Sequence, residues 1–337
     1  MAEPIDFVII WVDGSDPEWL ARKNHYLALA GGIPGDIDAG PSRYRDWDNL
    51  RYWFRAVETY APWVNRVHFV TCGQVPPWLN PEAPKLNFVL HSDFIPEEFL
   101  PTFSSHPIEL NLHRIPGLSE QFVYFNDDFF LTAPVAPEDF FWRGLPQDSI
   151  GEEPIQFPVA ELYNNILINN MVFLNRHFDR FQTRKTHWRK WFSLRAPHDS
   201  FKNLVMTLVR KPCFFGMDPH HLPQAYLKSS LEAVWAADPE QLRDTCSHKF
   251  RDARDISQFA VKFYQLMQGQ FHPYDKHKFG VALPAEPNVD RICQIIRQRQ
   301  YKALCINDGD MADFAGCRDR INAAFADALP NKSSFER

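Results

Sequence analysis

The feature that most constrains this chain is a set of five short apolar runs, each broken off by a polar cluster. Ile5 to Val12 (IDFVIIWV) runs into Asp13-Gly14-Ser15-Asp16-Pro17, and Arg66 to Val70 (RVHFV) into Thr71-Cys72-Gly73. Leu86 to Leu90 stops at His91-Ser92-Asp93, Gln121 to Phe125 at Asn126-Asp127-Asp128, and Lys302 to Ile306 at Asn307-Asp308-Gly309. Continuous apolar runs of this length are strands covered on both faces, the condition of a parallel sheet. Such sheets bind ligands beyond the carboxyl ends of their strands, where the polar clusters would lie.

Helical patterns separate the runs. Pro17 to Ala30 has proline in its first turn, a position where the missing N–H costs nothing. In Trp47 to Tyr60, residues Leu50, Trp53, Phe54 and Val57 recur at helical spacing before Pro62. Ser105 to Arg114 predicts a shorter helix. Alternating strands and helices predict an α/β fold with an open, mostly parallel, Rossmann-like sheet. From about residue 155 strand signals weaken, while Leu222 to Ala236 and Ile256 to Gln268 read as helices. The expected division is an α/β core over 1–150 and 288–325, a mainly helical insertion or lid over 151–287, and a tail over 326–337 that frays from Pro330.

Charge and cysteine usage narrow the partners. A net charge of −6 over 337 residues excludes a generally basic nucleic-acid surface, so an anionic ligand needs locally concentrated cations. Six cysteines without a CxxC pair point to free thiols in a reducing compartment. The apolar run Phe7 to Val12 is far too short to span a bilayer. A cytoplasmic protein is expected, with peripheral association at the inner face of the membrane as an allowed addition. GxGxxG, GxxxxGK[ST] and GxSxG are all absent, which removes the dinucleotide, P-loop and serine-hydrolase signatures.

The chemistry-bearing residues collect at the strand ends. Asp13, Asp127-Asp128 and Asp308 would converge on one sheet edge, and carboxylates so placed suit a hard divalent cation with octahedral oxygen ligands. Read singly, each also serves as a turn or cap residue. Arg43, Arg45, Arg51, Arg55, Arg114 and Arg251 are candidates for bidentate phosphate recognition, or solvated helix-face residues where an acid adjoins. Of the pair His220-His221 in PHHLP, one is a candidate general base and either can cap the helix expected to follow.

At these segments the chain resembles the Stealth family. The resemblance runs through IDFVIIWVDGSDP (Ile5 to Pro17), Tyr44 to Asn80, Leu100 to Leu131, Pro219 to Trp235, Cys246 to Ala260, and CINDG (Cys305 to Gly309). It implies a GT-A-like nucleotide-sugar fold and transfer of hexose-1-phosphate from a UDP-sugar, by default N-acetylglucosamine-1-phosphate. The acceptor would be a glycan hydroxyl, the product a phosphodiester and the leaving group UMP, in capsule or surface polysaccharide synthesis. By position, Asp128 and Asp308 match metal and diphosphate residues, for Mg2+ or Mn2+, and His221 and Arg251 match residues needed for activity. Asp13, Arg51, Glu109, Arg114 and Asn126 are the expected donor-binding residues. The third-block histidine is His221 rather than His220 by the Leu-Pro that follows it. Partners implied are the UDP-sugar, the glycan acceptor and membrane-bound polysaccharide assembly machinery, with no nucleic acid. The competing chemistry is a metal-dependent glycosyltransferase that releases UDP.

Overall fold

The computed structural model describes residues 3–31, 44–156, 162–309 and 311–337. Its central sheet is built from β1 (Ile5–Ile10), β2 (Val67–Thr71), β3 (Leu86–Leu90), β4 (Gln121–Phe125) and one late strand, Gln224–Leu227. The spatial order is β3, β2, β1, β4 and then the late strand; the first four are parallel and the last is antiparallel to β4. The fold is therefore α/β with a mostly parallel sheet. Side-chain alternation along β1 sends Phe7 and Ile9 into one core with Trp53 and Phe54, and Val8 into another with Phe122 and Tyr124. Both faces are covered, as the uninterrupted apolar runs require.

The chain steps from β1 through β2 to β3 on one side, then returns to place β4 on the other side of β1. That reversal opens a crevice at the carboxyl ends of β1 and β4. Helix Leu50–Tyr60 buries Leu50, Trp53, Phe54, Val57 and Tyr60 against the sheet. It starts three residues later than expected, because Asp48 takes a left-handed φ of 51° that a helix cannot accommodate. Trp47 is thereby left in the preceding loop.

Three shorter strands follow β4 in the chain: β5 (Phe129–Leu131), β6 (Phe141–Trp142) and β7 (Leu145–Asp148). The late strand is β8, and β9 (His272–Pro273), β10 (Gly280–Pro284) and β11 (Ala303–Asn307) complete the set. Three expectations need correction here. Leu222 to Ala236 is not one helix: Gln224–Leu227 is β8, and the helix is Lys228–Ala237. Without β8 the buried strand β4 would present an unpaired edge, and ladder bonds from Gln121↔Leu227 to Tyr124↔Gln224 satisfy it. The segment Lys302 to Ile306 does not join the central sheet. As β11 it pairs antiparallel with β5 and parallel with β10 in a second, three-stranded sheet. The tail is not frayed: Phe335 is buried against Phe54, and Glu336 pairs with Arg55 through both carboxylate oxygens at 2.8 Å.

Candidate active site

The crevice widens into a cavity of about 740 Å³, within the size range of small-molecule sites. Its acids arrive along two routes. Asn126, Asp127 and Asp128 form the turn between β4 and β5, and Asn307 and Asp308 end β11. Because β5 and β11 run antiparallel, with Phe129 opposite Cys305, the start of one lies beside the end of the other. The Ile306 amide donates to the Asp128 carbonyl at 3.0 Å, which holds the two acidic turns together.

His221, Arg251, Asp128, Asp308, Glu109 and Asn126 all line this cavity. Asp13, Arg51 and Arg114 do not. Asp13 closes its own turn by accepting from the Ser15 amide at 2.8 Å and the Ser15 hydroxyl at 2.6 Å. Arg51 pairs with Asp48 at 3.1 Å, and Arg114 lies over the Trp235 ring at 4.9 Å. For these three, helix and turn positions near the crevice do not become positions in it. Arg55 is committed to Glu336 and the Leu329 carbonyl; Arg43 lies outside the described residues.

Two adjacent histidines part company. His220 has a left-handed φ of 44°, so the chain turns and the two rings enter different environments. His220 is buried between Asp199 (Nε2 to Oδ2, 3.1 Å) and Asp218 (Nδ1 to Oδ1, 3.4 Å). Burial pushes the Asp199 carboxyl up, but His220, His277 and Ser149 outweigh it and hold it well below the usual carboxylate range. Together Asp199, Asp218, His220 and His277 form one group of closely spaced potential ligands. His221 instead faces the cavity, its Nδ1 3.1 Å from Asn307 Oδ1 and its ring edge-on to Phe129. An amide oxygen opposite Nδ1 places the proton there and leaves Nε2 as the basic nitrogen. Burial lowers the His221 pKa against the opposing Asn307 bond, which favours the ring form that can accept a proton.

Around Asp128 the charges are crowded. Burial raises its carboxyl to about 7, with Asp308 adding to the rise and the Cys305 thiol, which donates to Oδ2 at 3.3 Å, opposing it. Asp127 is raised to about 7 by burial and then by Asp128, Asp46 and Asp308; it is nonetheless exposed at the cavity, so water there moderates the rise. Asp128 Oδ1 is buried and has no hydrogen-bond partner. A buried oxygen without a donor, among further carboxylates, fits a hard divalent cation. Asp128, His221 and Cys305 also offer ligand atoms within 4.8 Å of one another, but burial pushes the Cys305 thiol far up, leaving it a proton donor.

The sequence does not single out Trp47 or Asn307, nor the contacts that Arg45, Glu109 and Arg251 make. Arg45 does not pair with its neighbour Asp46; it holds Asp308 with Nε to Oδ2 at 3.0 Å and Nη2 to Oδ1 at 2.5 Å, and the Trp47 indole donates to the same carboxylate at 3.2 Å. Asn307 orients His221, and its one signal was adjacency to Asp308 at a strand end. Glu109 is buried, accepts from the Tyr124 hydroxyl at 3.0 Å and keeps Oε2 unpartnered. Arg251 donates to the Ser105 hydroxyl at 3.4 Å, which ties it to the start of helix Ser105–Asn111.

Two family models match this chain: Stealth protein CR1, conserved region 1, over residues 3–29, and Stealth protein CR2, conserved region 2, over 43–148. A capsular polysaccharide phosphotransferase, WcwK of Streptococcus pneumoniae, is 36% identical, covering 99% of this chain and 98% of its own. The chain belongs to the Stealth family. A second relative is the exopolysaccharide phosphotransferase cps2G of Lactiplantibacillus plantarum, 36% identical over 99% of this chain and 96% of that protein. Among solved structures, the galactosyltransferase LgtC with donor and acceptor sugar analogues covers 97% of this chain and 96% of its own at 11% identity and a TM-score of 0.38. The conserved regions carry β1 to β4 and the Asp127-Asp128 turn, so the Stealth signature coincides with the floor of the cavity. Among the described residues no helix is long and apolar enough to cross a membrane.

Proposed function

We propose that this Stealth chain transfers a sugar-1-phosphate unit from a UDP-sugar to a glycan hydroxyl, forming a phosphodiester and releasing UMP. The relatives that match along its full length are named polysaccharide phosphotransferases, which supports capsule or surface polysaccharide synthesis as the setting. N-acetylglucosamine-1-phosphate is the default unit. All six cysteines are free, in keeping with a reaction in the reducing cytoplasm. The observation that carries the chemistry is the joint presence in one cavity of an oriented histidine, an arginine and a cluster of acids with an unpartnered buried oxygen.

Phosphoryl transfer is mainly positioning and charge neutralisation. Asp128 and Asp308 are the proposed ligands of Mg2+ or Mn2+, which supplies charge neutralisation at the diphosphate when bound. His221 Nε2 accepts the proton of the acceptor hydroxyl as that oxygen forms its bond to the β-phosphorus. The bond from the β-phosphorus to the bridging oxygen breaks, and the electron pair leaves with UMP. Arg251 offers its guanidinium to the equatorial oxygens of the transferred group. Asp127 shapes the strand-end turn, and Glu109 and Asn126 contact the donor. The parts of residues 162–287 outside β8, which carry both His221 and Arg251, close over the donor and exclude water.

The test follows the β-phosphate. Donor labelled there is incubated with a glycan acceptor and magnesium, and the products are separated. The label is expected in the acceptor as a phosphodiester, with UMP in equal amount. Label released as UDP, with a phosphate-free glycoside formed, would overturn the reading in favour of glycosyl transfer.

A further inference from the structure

Helix Pro197–Met206 is amphipathic in the wrong sense for a surface in water. Its buried positions include Asp199 and Asn203. Asp199 accepts from Ser149, His220 and His277, and Asn203 donates to the carbonyls of Ile150 and Trp191 and accepts from the Glu152 amide. Its outward positions are apolar: Phe201 is 67% exposed, Leu204 58%, Val205 48% and, just past the helix end, Leu208 80%. These residues stand at i, i+3, i+4 and i+7, one continuous stripe. Leu194, in the loop leading into the helix, is 97% exposed. An ordinary surface helix turns its apolar stripe to the core and its polar face to solvent. Here hydrogen bonding of the polar side chains to the fold fixes the reverse orientation.

The charge around the stripe is as one-sided as its polarity. Residues 180–211 contain nine lysines and arginines and one acid, Asp199, in a chain of net charge −6. That acid is buried, while Lys185, Arg189, Arg195, Arg210 and Lys211 are exposed. Trp188, also exposed, has Arg189 over its ring at 5.3 Å. An exposed apolar stripe of this kind marks an interaction surface. Flanking cations that outnumber the bordering acids, Asp179 and the Lys202 partner Glu153, match an anionic bilayer, into which such a helix sinks its apolar face while lysine and arginine meet the headgroups. We propose that helix Pro197–Met206 and its flanking loops dock the protein peripherally on an anionic lipid surface. The helix bears neither the base nor the acids of the cavity, so this docking is separate from the transfer chemistry.

The full chain is mixed with vesicles of equal parts phosphatidylglycerol and phosphatidylcholine, and separately with phosphatidylcholine alone, then sedimented. Wild type is expected to partition onto the anionic vesicles and to be released by added salt. The triple variant Phe201→Ser, Leu204→Ser, Leu208→Ser is expected to lose about tenfold in partitioning. Reversal of charge in Arg195→Glu, Arg210→Glu, Lys211→Glu is expected to cost about a hundredfold. Turnover on a soluble acceptor and the thermal midpoint should be unchanged in both. If the serine variant unfolds, the charge-reversal variant decides alone. Equal binding of wild type to neutral and anionic vesicles, or no binding to either, overturns the proposal. So does a wild-type dimer that the serine variant converts to monomer with vesicle binding unaltered, because the stripe is then an interface between copies.

Discussion

At the scale of single residues, His220 and His221 separate structure from chemistry over one peptide bond. His221→Gln keeps a donor to Asn307 but removes the proposed base, so turnover should fall about 10²–10⁴-fold with the thermal midpoint unchanged. His220→Gln should act the other way. It disturbs a buried hydrogen bond to Asp199, which typically costs about 1–3 kcal/mol, and the loss should appear as a lower thermal midpoint on calorimetry. Equal effects of the two changes on midpoint and rate would contradict this division. Asp128→Asn and Asp308→Asn test the proposed cation site. Each should abolish magnesium-dependent turnover while the circular dichroism spectrum stays that of wild type. Near-normal rates at the magnesium concentration wild type requires would remove these carboxylates from the site. The sequence placed Asp128 and Asp308 at strand ends, but it held no trace of the Arg45 clamp on Asp308, since those partners are 263 residues apart.

At the scale of elements, helix Ser105–Asn111 is pinned to the loop before helix Gln258–Met267 by Asp255. This buried acid bonds His106 Nδ1 at 3.0 Å and His248 Nδ1 at 2.7 Å. Burial pushes Asp255 up, but the bonds from His106 and His248 outweigh it and lower its pKa. Burial likewise pushes His248 down, and the bond to Asp255 outweighs it and raises its pKa. The two signs bracket a pH window. The Asp255 contribution is complete above its unfolded value near ~3.9 and is lost as pH falls through the lower folded value. The His248 contribution is complete below its unfolded value near ~6.5 and is lost as pH rises through the higher folded value. The thermal midpoint of wild type minus that of Asp255→Asn should therefore be largest between about pH 4 and 6.5 and shrink on both sides. A difference independent of pH would show that the three groups are not coupled. Helix Ser105–Asn111 was itself legible within the segment Ser105 to Arg114. Its anchoring was not, because His106 and Asp255 meet only in space.

At the scale of the whole molecule, the C-terminal residues close the core rather than trailing from it. Phe335 is 2% exposed and meets the Phe54 ring at 5.1 Å, while Arg55 is satisfied by Glu336 and Leu329. Phe335→Ala should cost about 3–5 kcal/mol, read as a lower midpoint in urea unfolding. No change would mean that the tail is bound loosely in solution. The inverted helix Pro197–Met206 belongs to this scale too, for its meaning lies in what surrounds the protein and not in any internal contact.

The sequence by itself determined the elements whose burial is complete on both faces. Val67–Thr71 and Gln121–Phe125, buried at every position, fall within one residue of their apolar runs, because a strand buried on both sides needs an unbroken apolar run and a polar stop. It also determined that acids would cluster at the carboxyl ends of those strands. Tertiary structure alone decided which edges they would share. Gln224–Leu227 has enough helix-forming residues to read as a helix, yet the open edge of β4 draws it into the sheet. Lys302 to Ile306 has the pattern of a central strand, yet it pairs with Phe129–Leu131 and so brings Asp308 to Asp128 from a second sheet. Trp47, His220 and Phe335 were misplaced or left open for the same reason. Local pattern encodes how much of a segment is buried, whereas its hydrogen-bond and packing partners are set by residues far away in the chain.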